Sequence, residues 1–345
     1  MVRGKTDPSP TTGRLLELVD AMSGQPVVML VDLVADLFIT GTPKRISREA
    51  PVLILSYQGE KLIPGGGANA VANVAALGGR PLPLGVVGDD ASGRGLLDAF
   101  HEQGVSTEGI QVRSGYRTPT KVRILGGGKH SIKQQIVRYD IEEKLTLTAM
   151  ERDRFGECLE RWQARVAILS DYGYGTVEPD LLPRMREALG PEATLVCDSR
   201  FRLGDFRGLD GATPNEEEAE ALLGSPLDDD PEGGRGLLDR LGARFLLITR
   251  GSQGMSLFER DSAAHLAVHG TDQVADVTGA GDTVIGTFAL ALAAGATPLE
   301  ASLLANYAGG VVVMKMGTAT LTPDELRHAV ESDPRPLEEL RWARS

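Results

Sequence analysis

Three observations predict an α/β fold. Continuous apolar runs at residues 27–31 and 166–169 have the length and composition of strands buried on both faces. Such runs alternate with helix-length segments along most of the 345-residue chain. Two stretches of extended character without helical period, within 40–64 and 116–140, interrupt the alternation. They are expected to pair into a small β sheet covering one side of the core.

Taken in order, residues 1–14 are rich in Pro, Thr and Gly and are expected to form a flexible arm, with a short amphipathic helix at 15–22. Strand 27–31 ends at Asp32, with Asp36 just beyond. Open α/β sheets bind ligands at the carboxyl ends of their strands, although both acids are equally suited to capping the strand exit. Residues 38–64 and 112–140 are the predicted lid, with Gly126-Gly127-Gly128 as a hairpin tip. Between them lie a helix from about 67 to the glycines at 78–79, a strand at 82–87, a helix at 92–103 closed by Gly104, and a strand at 105–112. Helix 147–163, strand 166–169, helix 181–189 and strand 194–197 follow. Asn215 is a natural N-cap for the helix that starts with Glu216-Glu217-Glu218. Asp228-Asp229-Asp230 reads as a solvated loop. Strand 245–249, a strand pair at 255–258 and 265–268, and helices at 283–292, 298–315 and 324–331 complete the domain; residues 333–345 read as a peripheral tail.

A net charge of −12 argues against nucleic acid or an anionic membrane as partner, so any phosphate site must rely on backbone dipoles and a few placed cations. Cys158 and Cys197 lie in hydrophobic settings without a CxxC partner and read as buried free thiols. No secretory h-region and no bilayer-length apolar run is visible, so a cytoplasmic protein is expected.

The stretch from Asp276 through Thr278, Gly279, Ala280 and Gly281 to Asp282 opens directly into an apolar helix. Gly279 and Gly281 allow the backbone to bend, and the first helical N–H groups then stand without intrahelical acceptors at the positive end of the dipole. Such a corner binds phosphate. Asp282, in the first turn, suits a base that takes the proton of an alcohol attacking a terminal phosphoryl group. The plain alternative is an acidic glycine turn, which is common. Gly65-Gly66-Gly67 before a helix permits close backbone approach to a ligand, with Asn69 as donor and acceptor; tight helix–sheet packing explains the same glycines equally well.

The glycine–Asn segment at 65–69 and the motif at 276–282, in this order on an α/β background, resemble the ribokinase (pfkB) family of sugar kinases. Within it, residues 45–52, 170–172, 249–257 and 276–286 are similar to the kinases acting on O1 of D-glycero-β-D-manno-heptose 7-phosphate, which serve ADP-heptose and lipopolysaccharide core synthesis. The resemblance covers about residues 15–332. It implies a ribokinase-like three-layer α/β/α sandwich with a mainly parallel central sheet. It also implies Asp282 as the base and the amides of Gly279, Ala280 and Gly281 as the anion hole. Asp32, Asp36, Gly65, Gly66, Gly67, Asn69 and Arg138 would bind the sugar or its phosphate. Asn215, Glu218, Thr249, Gly251, Gly254, Asn306 and Gly309 would bind the nucleotide. Mg²⁺ with ATP would lie near Asn215 and Glu218 through water, and potassium near Asp276 and Thr278. The lid itself is expected either to exclude water from the reacting group or to serve as a homodimer interface, and both roles are compatible.

Three departures bear on substrate identity more than on reaction type. Val31-Asp32 stands where the family has Gly-Asp, Tyr174 stands in place of a lysine, and Asp198-Ser199-Arg200 replaces Asp-Pro-Lys, with Arg200 as a substitute cation. The 126–130 hairpin also reads as longer than usual. Function is therefore expected to be sugar phosphorylation. The alternatives are a pfkB-type kinase of another sugar or sugar phosphate, a non-catalytic sugar- or nucleotide-binding protein, and a structural dimer.

Overall fold

The structure, a computed structural model, describes residues 10–128, 133–227, 231–270 and 275–344. Residues 1–9 of the expected arm, part of the expected 126–130 hairpin and Asp228–Asp230 lie outside the described residues.

The first half of the chain runs α1 (Thr12–Ala21), β1 (Pro26–Val31), β2 (Leu33–Ile46), β3 (Leu53–Gly66), α2 (Gly67–Ala76), β4 (Arg80–Gly88), α3 (Ala91–Glu102), β5 (Ile110–Arg113), β6 (Thr120–Gly126) and β7 (Gln134–Ile141). It continues through α4 (Ala149–Arg161), β8 (Val166–Asp171), α5 (Leu182–Leu189), β9 (Thr194–Ser199), β10 (Gly211–Ala212), α6 (Glu216–Leu223) and α7 (Pro231–Leu241). The last part holds β11 (Phe245–Thr249), β12 (Met255–Glu259), β13 (Ser262–Leu266), α8 (Ala280–Ala293), α9 (Pro298–Val313), α10 (Pro323–Ser332), α11 (Arg335–Glu338) and β14 (Arg341–Arg344).

Ten strands form one sheet in the order β14-β13-β12-β11-β10-β9-β8-β1-β4-β5, parallel from β11 to β5 and antiparallel at the β11–β14 edge. Alternation along β1 explains the layering. Val27, Met29 and Val31 join a core with α1, α2, α3, α8, α9 and α10, whereas Val28 and Leu30 join a second core with α4, α5, α6 and α7. Both faces of the strand are thus dry, and the fold is a three-layer α/β/α sandwich.

The second sheet, β3-β2-β6-β7, is the lid. Its first strand starts at Leu33, directly after β1, so Asp36 belongs to the lid and not to the central sheet. Other expectations need correction. The strand expected over 105–112 is confined to β5, because residues 104–109 turn: Gly104 has φ +71° and the Ile110 amide closes onto the Thr107 carbonyl. Helix α7 has no counterpart in the sequence reading, since its glycines weaken the helical signal. Gly234 lies against the Phe258 ring, where a Cβ would collide. The tail is not peripheral: β14 pairs antiparallel with β13 and forms the sheet edge. Among the described residues no helix is long and apolar enough to cross a membrane.

Candidate active site

β1 runs directly into the lid strand β2, and the carboxyl end of β8 leads to Tyr172, which lies beneath Lys121 of the lid and against Asp282 at the start of α8. Gly279 caps α8 at φ +79°, a conformation that other residues rarely adopt. A Cβ on it would lie 2.5 Å from Asn69 Nδ2, so glycine is required twice over. The Ala280 amide donates to the Val277 carbonyl at 3.2 Å. The amides of Gly281 and Asp282 find no acceptor among the described residues, and a Cβ on Gly281 would meet open space. Of the three amides expected to form an anion hole, that of Ala280 is engaged, while those of Gly279 and Gly281, joined by that of Asp282, have no acceptor among the described residues.

Asp282 is buried, and its two oxygens are held by different elements. Asn69 Nδ2, on α2, donates to Oδ2 at 3.0 Å, and the Tyr172 hydroxyl, just beyond β8, donates to Oδ1 at 2.7 Å. Burial raises the Asp282 pKa to about 7 against the opposing hydrogen bonds from Asn69 and Tyr172 and the charge of Lys121. The group therefore changes protonation state near neutrality, as a general base should. Asn69 is itself fixed: its carbonyl oxygen accepts from Asn73 Nδ2 at 3.1 Å, and Asn73 in turn accepts from the Thr283 hydroxyl of α8 at 3.0 Å.

Asp36 is buried in an ion pair with Arg123 of β6 and accepts from the Thr318 hydroxyl at 3.1 Å. The lid register pairs Asp36 with Lys121, Lys121 with Asp140 and Arg123 with Arg138, so these five side chains share one lid face. Arg138 is held by Asp140, with Nε to Oδ1 at 2.8 Å. Lys121 Nζ lies 5.3 Å from the centre of the Tyr172 ring, and burial lowers its pKa. The glycines before α2 make this approach possible. A Cβ on Gly65 would strike the Asp36 carboxylate at 2.6 Å, and one on Gly67 the Asp32 carbonyl at 2.7 Å. Close packing is thus what these two glycines do in the structure.

Asp32 does not face the cleft. Its carboxylate is buried and accepts the amides of Tyr172, Tyr174 and Thr176 at 2.9–3.0 Å, which fastens the loop after β8. The expected sugar ligand is an anchor for Tyr172. Tyr174, in the position of the family's lysine, is engaged elsewhere, its hydroxyl donating to Glu142 at 2.9 Å.

At the start of α6, Asn215 and Glu218 cap each other, with amide-to-carboxylate and amide-to-amide-oxygen distances of 3.0 and 2.8 Å. Burial raises the Glu218 pKa. Asp198 is pushed up strongly by burial and by the nearby charges of Asp282 and Glu218, while Arg200 opposes this. Thr249 bridges to Asn215 in parallel β fashion, and Gly251 and Gly254 turn at φ +55° and +86°. Asn306 and Gly309 are buried beneath this surface: Asn306 holds the Ala267 carbonyl at 2.7 Å, and a Cβ on Gly309 would press on Val284 at 3.3 Å. Asp276 accepts the amides of Thr278 at 2.9 Å and Gly317 at 3.1 Å. Burial works against its charge, but these bonds outweigh it and keep the carboxyl below its usual range.

Lys121, Arg123 and Thr318 were absent from the sequence expectations, and Tyr172 had no role there. The signal for the first two was present: Lys121 and Arg123 alternate with Val122 and Ile124, the period-2 pattern of a strand with one polar face. Thr318 and Tyr172 carry no local pattern.

A buried acid beside a glycine-capped helix start, under a β lid on a doubly covered parallel sheet, defines a phosphotransferase of the carbohydrate-kinase class. The chain belongs to the pfkB family of carbohydrate kinases, whose profile matches residues 28–148 and 206–325. Among curated relatives, the "Bifunctional protein HldE" of Mesorhizobium japonicum is 38% identical over 333 residues, covering 93% of this chain and 65% of that protein. The protein of the same name from Pelobacter propionicus is 36% identical over 310 residues, covering 88% and 62%. The chain thus spans about two thirds of the length of these relatives. Arabidopsis thaliana ribokinase, solved with ribose and ATP, superposes with a TM-score of 0.69 at 20% identity, covering 90% of this chain and 99% of that one. Escherichia coli phosphofructokinase-2, solved with potassium, gives 0.68 at 18% identity over 90% and 99%. At such identities these structures speak for the fold.

Proposed function

We propose that this carbohydrate kinase transfers the γ-phosphoryl group of ATP to a hydroxyl of a phosphorylated sugar, with O1 of D-glycero-β-D-manno-heptose 7-phosphate as the acceptor. The observation that carries the reading is the charged lid face, where Lys121, Arg123 and Arg138 outnumber Asp36 and Asp140 and Lys121 lies over the Tyr172 ring that contacts Asp282. A free sugar needs hydroxyl partners; an acceptor already bearing a phosphate needs cations in a chain whose net charge is −12. The names of the curated relatives and the motifs at 45–52 and 170–172 point to the heptose phosphate.

In this reading, the acceptor oxygen attacks the γ-phosphorus, its bond to phosphorus forms, and the bond to the ADP oxygen breaks. The hydroxyl proton passes to Asp282. The free amides of Gly281 and Asp282 receive the charge developing on the transferred group. Asn69 and Asp36 hold acceptor hydroxyls, and Arg138 with Lys121 holds the acceptor phosphate.

The oxygen donors of Glu218 and Asn215 fit a magnesium ion reached through water. Among the described residues no cluster of three His, Cys, Asp or Glu is arranged for a metal. Magnesium would neutralise phosphate charge there. An ionised Asp276 beside Thr278 fits a potassium ion. Exposed Tyr57, Val137 and Tyr139 on the lid support a homodimer through that sheet, and two buried free thiols support a reducing cytoplasm.

The departures at Tyr174 and Arg200 favour one second reading, another sugar phosphate as acceptor. A coupled ADP-release screen over free and phosphorylated heptoses, hexoses and pentoses tests both. Highest kcat/KM with heptose 7-phosphate supports the first, another phosphorylated sugar supports the second, and a free sugar overturns both.

A further inference from the structure

The loop after β8 delivers one side chain to the base, and the surrounding contacts are built around that delivery. We infer that Tyr172 is a positioning residue for phosphoryl transfer: its hydroxyl, 2.7 Å from Asp282 Oδ1, orients the carboxylate and keeps it ionised for the acceptor proton. The inference rests on the assignment of Asp282 as base.

Three independent features hold Tyr172 in place. Its amide is tied to the buried Asp32 carboxylate at 2.9 Å, the bond network that also holds the amides of residues 174 and 176. Its ring lies against the corner before α2, where a Cβ on Gly66 would already be 3.3 Å from Tyr172 Cε2. Its other neighbour is the lid, whose Lys121 ammonium lies 5.3 Å from the ring centre. A phenol held on three sides and aimed at a carboxylate fixes which lone pair remains for substrate. With Asn69 on Oδ2 and Tyr172 on Oδ1, each oxygen keeps one acceptor direction.

The electrostatics agree in sign. Burial pushes Asp282 up to about 7, and the Tyr172 hydrogen bond pulls it down. Burial, and then the charge of Asp282, push the phenol far above its ordinary value, so Tyr172 stays protonated and remains a donor. The other charged groups facing this pair are Lys121 and Asp36 from the lid, and Asp198 and Arg200 from the end of β9. The first and last are cations and the two acids oppose them, so none replaces a hydrogen bond directed at Oδ1.

The test is the pH profile of kcat/KM for Tyr172→Phe, which keeps the ring and its packing. Loss of the donor should move the acid limb up by about one pH unit, so that activity relative to wild type falls about tenfold at pH 6 and recovers toward wild type at pH 9. Unfolding should stay cooperative, and KM for ATP should not change. A uniform fall at every pH, or a profile superposing on wild type, overturns the inference. Should the variant turn over too slowly to profile, carbon-13 titration of the Asp282 carboxyl, assigned by its absence in Asp282→Asn, reads the same shift without catalysis; an unmoved midpoint overturns the inference. If Asp282→Asn keeps wild-type turnover, the assignment of the base fails instead, which separates the two claims.

Discussion

Asn69 Nδ2 stands 3.0 Å from Asp282 Oδ2, joining the helix behind the triple glycine to the helix behind the phosphate-type corner. The two residues are 213 positions apart, and the same amide also reaches the Gly279 carbonyl at 3.3 Å. One side chain therefore holds both the Asp282 carboxylate and the bend that exposes the free amides.

Asn69→Ala should lower kcat by roughly 10- to 100-fold, since a hydrogen bond to a charged group is worth about 1.5–3 kcal/mol. The acid limb should also move above the Asp282 midpoint of about 7. Steady-state kinetics between pH 5.5 and 9, the range over which the base titrates, checks both parts.

Arg138 is exposed and paired with Asp140, so Arg138→Gln should leave folding intact. If the lid cations grip an acceptor phosphate, KM for the phosphorylated sugar rises about tenfold, the loss of one charge-assisted contact, while KM for ATP stays put. Equal KM values for the acceptor in the two proteins would remove Arg138 from the phosphate site.

Asp32→Ala strips the acceptor from three buried amides at once. A stability loss of about 2–4 kcal/mol is expected, visible as a lower denaturant midpoint. Because the same loop carries Tyr172, residual activity should also lose its normal pH profile.

Much of the architecture was legible because burial on both faces writes itself as continuous apolar runs, as in β1 and β8, and because Asn215 announces its helix by capping chemistry. The corner at 279–282 was legible for a related reason: only glycine tolerates the backbone of residue 279. What escaped depends on distant partners. Nothing local marks Tyr172 as the ligand of an acid 110 residues away, or Thr318 as a partner of Asp36. Nor does Asp32 signal that its oxygens turn to loop amides instead of the cleft. Helix α7 escaped because packing of Gly234 on Phe258 overrides a poor intrinsic propensity. The final strand was missed because its partner edge is formed by tertiary pairing with β13.

Asp282 also makes a stability prediction. Its folded pKa, about 7, lies above the ordinary carboxylate value of 3.8, so the folded state binds the proton more tightly than the unfolded state. The stabilisation associated with that proton is complete below about pH 4 and is lost as pH rises through about 7. Asp282→Asn should therefore gain in Tm relative to wild type between about pH 4 and 7, with the difference constant above that window. A difference independent of pH would contradict the raised carboxylate.

The most direct measurement is ADP release by Asp282→Asn with saturating ATP and the preferred acceptor. Turnover is predicted to fall by roughly 10²–10⁴, with unfolding cooperativity retained and nucleotide binding unchanged. Turnover within a few-fold of wild type would contradict the account, because the proton of the attacking hydroxyl would then have another destination.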